Sequence, residues 1–396
     1  MAKDVMRLYY LSPSEIPSRT ANSVHVMKMC RAFAGNGNDV TLYAKEGDFK
    51  VADDYSHYSV KRSFDIVKCK RPRARKLKGD LLYAAEVARR IRMGPLPDLF
   101  YARHIYSLAA VARFGVPMIH EAHNPPVNHL QRVVERWVYA RRNFLRLVVI
   151  SDALRREYQR IFPWLPTEKL MVAHDCADDA GLSSESALHD RWPGREGSLQ
   201  VGYVGHLYRG KGVELINVLA SRMDEVDFHL VGGMESDIKL WRRCCIHRNV
   251  HFHGYVAQNL LPQYYRMFDV VLAPYQKKIL SVGGKKDIAR WMSPLKIFEY
   301  MAHGKAIVCS NSKVLKEILE HGVDAILVPP EDVGAWVDAL ELLKDDIGLR
   351  GLLGDAARRK LIARYTWENR ARAVLGDLPI PGVSAGDDPA CSSRVW

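Results

Sequence analysis

The chain has 396 residues, 48% hydrophobic and 26% charged, a balance that fits ordinary globular packing and excludes a collagen-like, coiled-coil or largely disordered protein. That length exceeds what one hydrophobic core organises and predicts two domains of roughly 150 to 200 residues each. Lys and Arg number 58 against 45 Asp and Glu, a net charge of +13, which predicts attraction to a polyanion while leaving nucleic acid, anionic lipid and phosphorylated metabolites all open.

The first predicted element is a buried strand over residues 7–12 (RLYYLS). A loop with two prolines leads into a helix whose apolar face is Val26, Met29, Cys30 and Phe33, at i, i+3, i+4 and i+7. Asn22 or Ser23 can cap its start, and Gly35 can end it. Short apolar runs at 40–44, 99–102, 116–120 and 147–151 continue a strand-helix rhythm, so residues 1–175 read as one doubly wound, Rossmann-like parallel-sheet domain. Between 176 and 200 the chain turns polar and irregular, with Ser, Gly, Asp and Pro concentrated as in a linker. Strands at 201–205, 227–232, 269–274, 306–310 and 325–328 then build a second Rossmann-like lobe over 201–365. One of its helices carries Val333, Trp336, Val337, Leu340 and Leu343 on a single face. A terminal helix over 366–377 can cross back to the first domain, and 378–396, rich in Pro, Gly and Ser, reads as a loose tail.

No stretch approaches the roughly 18 to 20 uncharged apolar residues of a membrane span, and the first residues lead into a strand pattern rather than a secretory h-region. The expected location is cytoplasmic. Seven cysteines, at 30, 69, 176, 244, 245, 309 and 391, lack Cys-x-x-Cys spacing and read as reduced thiols, neither a disulfide frame nor a zinc site.

Open parallel sheets bind ligands beyond the carboxyl ends of their strands, so two lobes facing each other predict a shared site in the cleft between them. The strongest local signal is SPLKIFEYMAHG at 293–304. Ser293 suits an N-cap, Pro294 the first helical position and Gly304 the end, leaving first-turn amides free to hold an anion such as a diphosphate. Glu299 follows about one and a half turns on, where a carboxylate can accept hydrogen bonds from both hydroxyls of a ribose. The plainer reading is a capped amphipathic helix with an incidental glutamate. A second signal is GHLYRGKG at 205–212, where glycines let the backbone approach an anion and Arg209 and Lys211 bring positive charge to a phosphate leaving group. Its spacing is neither Walker A nor the dinucleotide fingerprint, and a solvated basic turn is the competing reading.

Taken in order, SRTANSVHVMKMCRAFAGNGNDVTLY, IHEAHNPP, VVISDALR, GYVGHLYRGKGVELI, NVHFHGYV, FDVVLAPY, SPLKIFEYMAHGKAIV and YTWENRA make the chain resemble the retaining glycosyltransferases of family 4. These have the GT-B fold, two Rossmann-like lobes facing each other across a cleft, and transfer a sugar from a nucleotide diphosphate sugar. The resemblance implies that Lys211, with Arg209 or His206 beside it, holds the donor's phosphates, and that Glu299 binds the ribose. The family's usual first carboxylate lies eight positions earlier, where this chain has Trp291, leaving Ser293, the Leu295 amide and Lys296 as substitutes. The loop of Thr20, Ala21 and Asn22 stands where many relatives place a glycine pair, which implies a changed acceptor or phosphate geometry. His123 corresponds to a first-lobe histidine that hydrogen-bonds the transferred sugar rather than acting as a nucleophile. Tyr255 and Val256 align with the segment that meets the nucleobase.

Retaining members work with the leaving diphosphate helping to deprotonate the acceptor on the same face, so catalysis rests on positioning and charge stabilisation. With no Asp-x-Asp pair at the site, no essential metal and no cofactor are expected, only a UDP- or GDP-sugar as donor. The acceptor is a glycan, a lipid-linked molecule or a small molecule, and the setting is cell-surface polysaccharide or glycoconjugate synthesis. A catalytically silent nucleotide-sugar-binding subunit and a sugar-nucleotide epimerase are the alternatives. Residues 68–78 (KCKRPRARKLK) carry seven basic side chains, and a helix over 131–147 mixes arginines with Trp137, Tyr139 and Phe144. That mixture suits peripheral docking on an anionic bilayer as well as it suits a solvated surface. It forms no module for nucleic acid.

Overall fold

The computed structural model describes residues 5–71, 76–181, 192–245, 247–279, 287–376 and 378. Residues 72–75 of the basic run and nearly all of the predicted tail lie outside them. The first lobe places strands β1 (Arg7–Ile16), β2 (Asp39–Glu46), β3 (Asp65–Cys69), β4 (Leu99–Ala102), β5 (Met118–Ala122), β6 (Phe144–Val149) and β7 (Leu170–Val172) in the order β3-β2-β1-β4-β5-β6-β7. Its helices are α1 (Ala21–Gly35), α2 (Asp54–His57), α3 (Lys76–Arg92), α4 (Ile105–Val111), α5 (His129–Tyr139) and α6 (Asp152–Ile161). The second lobe orders β8 (Gln200–Val204), β9 (Asp227–Val231), β10 (Val250–Gly254), β11 (Val270–Ala273), β12 (Ala306–Ser310) and β13 (Ile326–Val328) as β10-β9-β8-β11-β12-β13. Its helices are α7 (Val213–Arg222), α8 (Glu235–Cys244), α9 (Leu261–Met267), α10 (Leu295–Ala302), α11 (Val333–Asp345) and α12 (Ile347–Arg364), and α13 (Trp367–Leu375) ends the described chain.

Every paired strand runs parallel, and both faces of each sheet are covered, which is why central strands are uninterrupted apolar runs. All four residues of β4 and of β11 are buried. The strands that hydropathy misses are peripheral or short: β3 and β10 are sheet edges, and β7 has three residues. An edge strand buries less, so its sequence need not be an apolar run, and β10 reads VHFHG with no fully buried residue.

Two local expectations change. The cap of α1 is Thr20, whose side chain accepts from the Ser23 N–H, because it is Thr20 that takes the extended backbone at φ −91° and ψ 145°. The segment 131–147 is not one helix: α5 ends at Tyr139 and β6 begins at Phe144. Tyr139 and Phe144 lie buried 4.8 Å apart in the first-lobe core, so only Trp137 of the three aromatics faces outward. Sheet hydrogen bonding and burial of Phe144, Leu147, Val148 and Val149 outweigh helix periodicity there.

The lobes are tied together at several points. The Glu317 carboxylate accepts from the Asp152 and Ala153 amides at 2.7 and 3.1 Å, filling the N-terminus of α6 across the interface. Helix α13 packs against α1, with Trp367, Ala371 and Val374 in the same apolar cluster as Val26, Met29 and Phe33.

Candidate active site

In each sheet the strand order reverses direction between two central strands, β1 and β4 in one lobe, β8 and β11 in the other. Loops leave the carboxyl ends of these neighbours on opposite faces of the sheet, and the resulting crevice is where such folds bind ligands. The two crevices face each other across a cleft of about 820 Å³. Thr20, Ala21, Asn22, Arg103 and His123 line it from the first lobe; Gly205, His206, Lys211, Tyr255, Val256, Lys296 and Glu299 line it from the second.

The second-lobe wall is cationic and built on tight turns. Gly212 begins α7 at φ 94°, and a Cβ there would stand 2.1 Å from the Pro274 carbonyl oxygen, so the turn closes against the end of β11 only with glycine. This places Lys211 in the wall, its Nζ 5.4 Å from the centre of the Tyr208 ring and 5.1 Å from that of Tyr275. Burial lowers its pKa to about 8. Lys296 is 9% exposed, its Nζ is 3.6 Å over the Tyr203 ring, and it has no hydrogen-bond partner among the described residues. Burial, then the charge of Lys211, holds it well below the ordinary lysine range, with Glu299 opposing. Burial and the same two lysines lower His206. Arg209 is exposed and does not line the cleft, because the turn that brings Lys211 into the wall directs the side chain two residues earlier outward.

Ser293 does not cap α10. Its Oγ accepts from the Asp175 amide at 2.8 Å, joining the lobes, and Pro294 occupies the cap position with no side-chain bond. Ser293, Leu295 and Lys296 still line the cleft around the helix start. Glu299, one turn further, accepts from Gln258 Nε2 at 2.8 Å and from the Tyr265 hydroxyl at 3.1 Å. Val256 packs beside the core cluster of this lobe, whereas Tyr255 is 42% exposed with the Arg19 guanidinium 4.2 Å over its ring, a contact across the cleft. Trp291 is absent from the cleft lining and packs against the first-lobe core, with the Ser151 hydroxyl donating to its carbonyl at 3.0 Å.

On the first-lobe wall, Thr20 joins a hydroxyl network with Ser18 and Ser23 at the start of α1. His123 Nε2 is 2.5 Å from Glu121 Oε1. Burial, then Arg103, lowers the His123 pKa to about 4, so its ring is neutral at pH 7. With Nε2–H donated to the carboxylate, Nδ1 is left as an acceptor. Glu121 is itself buried between Arg370, His25 and the Tyr101 hydroxyl. Burial opposes its charge, but Arg370 and then His25 hold it well below the usual carboxylate range. His25 Nδ1 lies 2.8 Å from Asp175 Oδ1, and its Nε2 lies 2.8 Å from Glu121, off the line of the N–H.

His25, Glu121 and His123 bring ligand atoms within 4.8 Å of one another, close enough for a metal ion. Glu121 is already committed to Arg370 and Tyr101, and His25 to Asp175, so an ion there would displace existing partners. Sequence reading did not reach Glu121, His25, Asp175 or Arg370 as a unit. Glu121 sits inside the HEAH run and Arg370 inside WENRA, but nothing local signals that residues 249 positions apart pair.

Two facing Rossmann-like lobes with a cationic cleft constitute the GT-B architecture. The family model described as Glycosyl transferases group 1 matches residues 198–346, and that described as Glycosyltransferase Family 4 matches 23–180, so the two together take in both lobes. The chain belongs to these group 1, family 4 glycosyltransferases. It is 24% identical over 242 residues to an uncharacterized glycosyltransferase of Methanocaldococcus jannaschii, the match covering 58% of each chain. It is also 24% identical over 275 residues to the alpha-D-kanosaminyltransferase of Streptomyces kanamyceticus, covering 64% of this chain and 67% of that one. Among solved structures, Anabaena HepE in complex with UDP superimposes with a TM-score of 0.70 at 16% identity, covering 93% of this chain and 98% of the other.

Proposed function

We propose that the protein is a retaining glycosyltransferase that moves a sugar from a UDP- or GDP-sugar to a glycan, lipid-linked or small-molecule acceptor. The observation that carries this reading is the opposition of two lysines, Lys211 on the turn after β8 and Lys296 in the first turn of α10, on one wall to His123 on the other. Lys211, Lys296, His206 and the Ser293–Leu295 segment hold the diphosphate and offset the charge that grows as the sugar C1–oxygen bond breaks. The ribose displaces Gln258 or Tyr265 from Glu299, and the base lies along Tyr255 and Val256. His123 Nδ1 accepts a hydrogen bond from a sugar hydroxyl. The acceptor oxygen enters from the side of Thr20, Ala21 and Asn22, bonds to C1 on the face the diphosphate leaves, and passes its proton to a departing phosphate oxygen. The UDP in HepE supports a uridine donor.

Helix α5 supports a membrane-borne acceptor. Leu130, Val133 and Trp137 are 43%, 48% and 44% exposed at i, i+3 and i+7, with exposed Arg132 and Arg136 between them. Val127 and Gln131, at the start of the same stripe, line the cleft, so a bilayer docked there would present its headgroups to the acceptor side. Arg71 of the basic run is instead paired with Glu15 and Asp48, and Lys68 with Asp54, which weakens that segment's part in docking. Among the described residues no helix is long and apolar enough to cross a membrane.

A thermal-shift panel of UDP-, GDP- and ADP-sugars, followed by product analysis by NMR with and without added acceptor, tests the reading. Stabilisation plus transfer or slow donor hydrolysis upholds it. Binding without turnover makes the protein a silent subunit, and interconversion of free donor makes it an epimerase.

A further inference from the structure

Lys211 and Lys296 stand on different elements, the turn after β8 and the first turn of α10, yet both ammonium groups face the ring of Tyr275, at 5.1 and 5.3 Å. Lys296 also lies over Tyr203, and Lys211 beside Tyr208, so the pair is walled by three tyrosines rather than by carboxylates. Lys296 Nζ is buried and makes no hydrogen bond to any described residue. Gly205 leaves the space that it fills: at φ 144°, a Cβ there would come within 2.9 Å of that nitrogen.

Among the described residues the other charged groups offset the pair only in part. Glu299, which also accepts from Gln258 and Tyr265, is the carboxylate that acts on Lys296, and no described carboxylate acts on Lys211. Asp237 on α8 acts on His206 and Tyr208, and Glu214 on α7 acts on Tyr203; neither reaches the lysines. His206, the third basic group of the wall, is pushed toward its neutral form by burial and then by both lysines. Two like charges that share a single carboxylate in a desolvated wall cannot both be held at low cost.

We propose that before a donor binds, the cleft holds this pair short of full protonation and that a diphosphate entering it draws in a proton from solvent, so ligand binding and proton uptake are one event. The inference rests on the donor reading above and adds to it a linkage that the reading does not require. Lys211, with its pKa near 8, and Lys296, held well below the usual lysine range by burial and then by Lys211, both rise when an anion adds counter-charge. The sign follows: affinity is greatest where the free lysines are already charged and falls as pH rises through their free-state values.

Isothermal titration of the full chain with UDP and with GDP at about pH 8, in buffers of different ionisation enthalpy, reads the uptake directly. The terminal phosphate of either nucleotide, with a second pKa of about 6, is already ionised there. The expected result is a slope corresponding to uptake of about one proton, with an association constant that falls up to about tenfold per pH unit above pH 8. Lys296→Arg, whose guanidinium stays charged, is expected to bind with a reduced slope; should it fail to fold, the wild-type slope alone decides. Binding with zero slope overturns the linkage while leaving the donor reading intact. Heat and uptake with inorganic sulfate but none with either nucleotide uphold the linkage and remove the donor reading. No binding of UDP, GDP or sulfate overturns both.

Discussion

Arg370, on the last described helix, reaches back to Glu121 on β5 and meets both of its carboxylate oxygens at 3.2 Å. Both side chains are buried, and Glu121 in turn holds His123 at the cleft. The α13 crossing therefore does more than close the first lobe: it supplies the counter-charge that fixes the histidine proposed to meet the sugar.

Glu121→Gln preserves shape and removes that charge. Leaving Arg370 buried and unpaired is expected to cost about 3 to 5 kcal/mol. Releasing the His123 ring is expected to lower turnover by at least about tenfold, with a smaller effect on donor KM, because the histidine acts at the sugar rather than at the nucleotide. Urea unfolding and steady-state kinetics check the two halves separately. A stable, fully active variant would remove the positioning role.

Lys211→Ala and Glu299→Ala are each expected to lower transfer by at least roughly 10²-fold with far-UV circular dichroism unchanged, since each deletes a charged contact in a desolvated cleft. Near-wild-type kinetics in both would withdraw them from the site.

Trp291→Glu introduces a carboxylate where the family resemblance implies one. The side chain packs against the first-lobe core and does not line the cleft, so the substitution is expected to destabilise the protein by about 2 kcal/mol and to give no gain in transfer. A rise in kcat would show that the position reaches the donor.

Glu135 is buried on α5 at the edge of the cleft, with Oε1 accepting from Gln131 and Oε2 unpartnered. Burial raises its pKa to about 7 against the hydrogen bonds of Gln131, Tyr158 and Tyr139. A raised folded-state pKa means that its stabilising contribution is complete below about pH 4.5 and is lost as pH rises through 7. Glu135→Gln is therefore expected to be more stable than wild type at about pH 8, by up to about 3 kcal/mol, with the difference closing below about pH 5. Denaturation curves of both proteins across that range provide the check, and a difference independent of pH would refute the titration.

For α5, replacing Arg132 and Arg136 by Glu is expected to reduce co-sedimentation with phosphatidylserine-containing vesicles by about tenfold or more, since each arginine near such a surface is worth about 1 kcal/mol. Trp137→Ala is expected to weaken binding to the same vesicles without abolishing its salt dependence. An unchanged bound fraction in all variants would exclude this face from docking.

What the sequence determined by itself is the set of elements whose burial is complete. Runs such as 99–102 and 306–310 are strands because both faces of a parallel sheet are covered, and that leaves no polar alternation to confuse with helix. The local elements around Lys211 and Glu299, a glycine turn and a helix starting just after a proline, were legible too, because such geometry is written into adjacent residues. The rest needed tertiary structure. Edge strands such as β10 carry little apolar signal, and Arg209 and Lys211, two residues apart, differ only in which way one turn directs them. Thr20 took the cap from Asn22 or Ser23, and Ser293 spent its hydroxyl on Asp175, because a side-chain oxygen bonds whichever amide the fold brings near. Above all, the Glu121–Arg370 pair joins positions far apart in the chain. A buried charge must find its opposite, but only the crossing of α13 decides which one it meets.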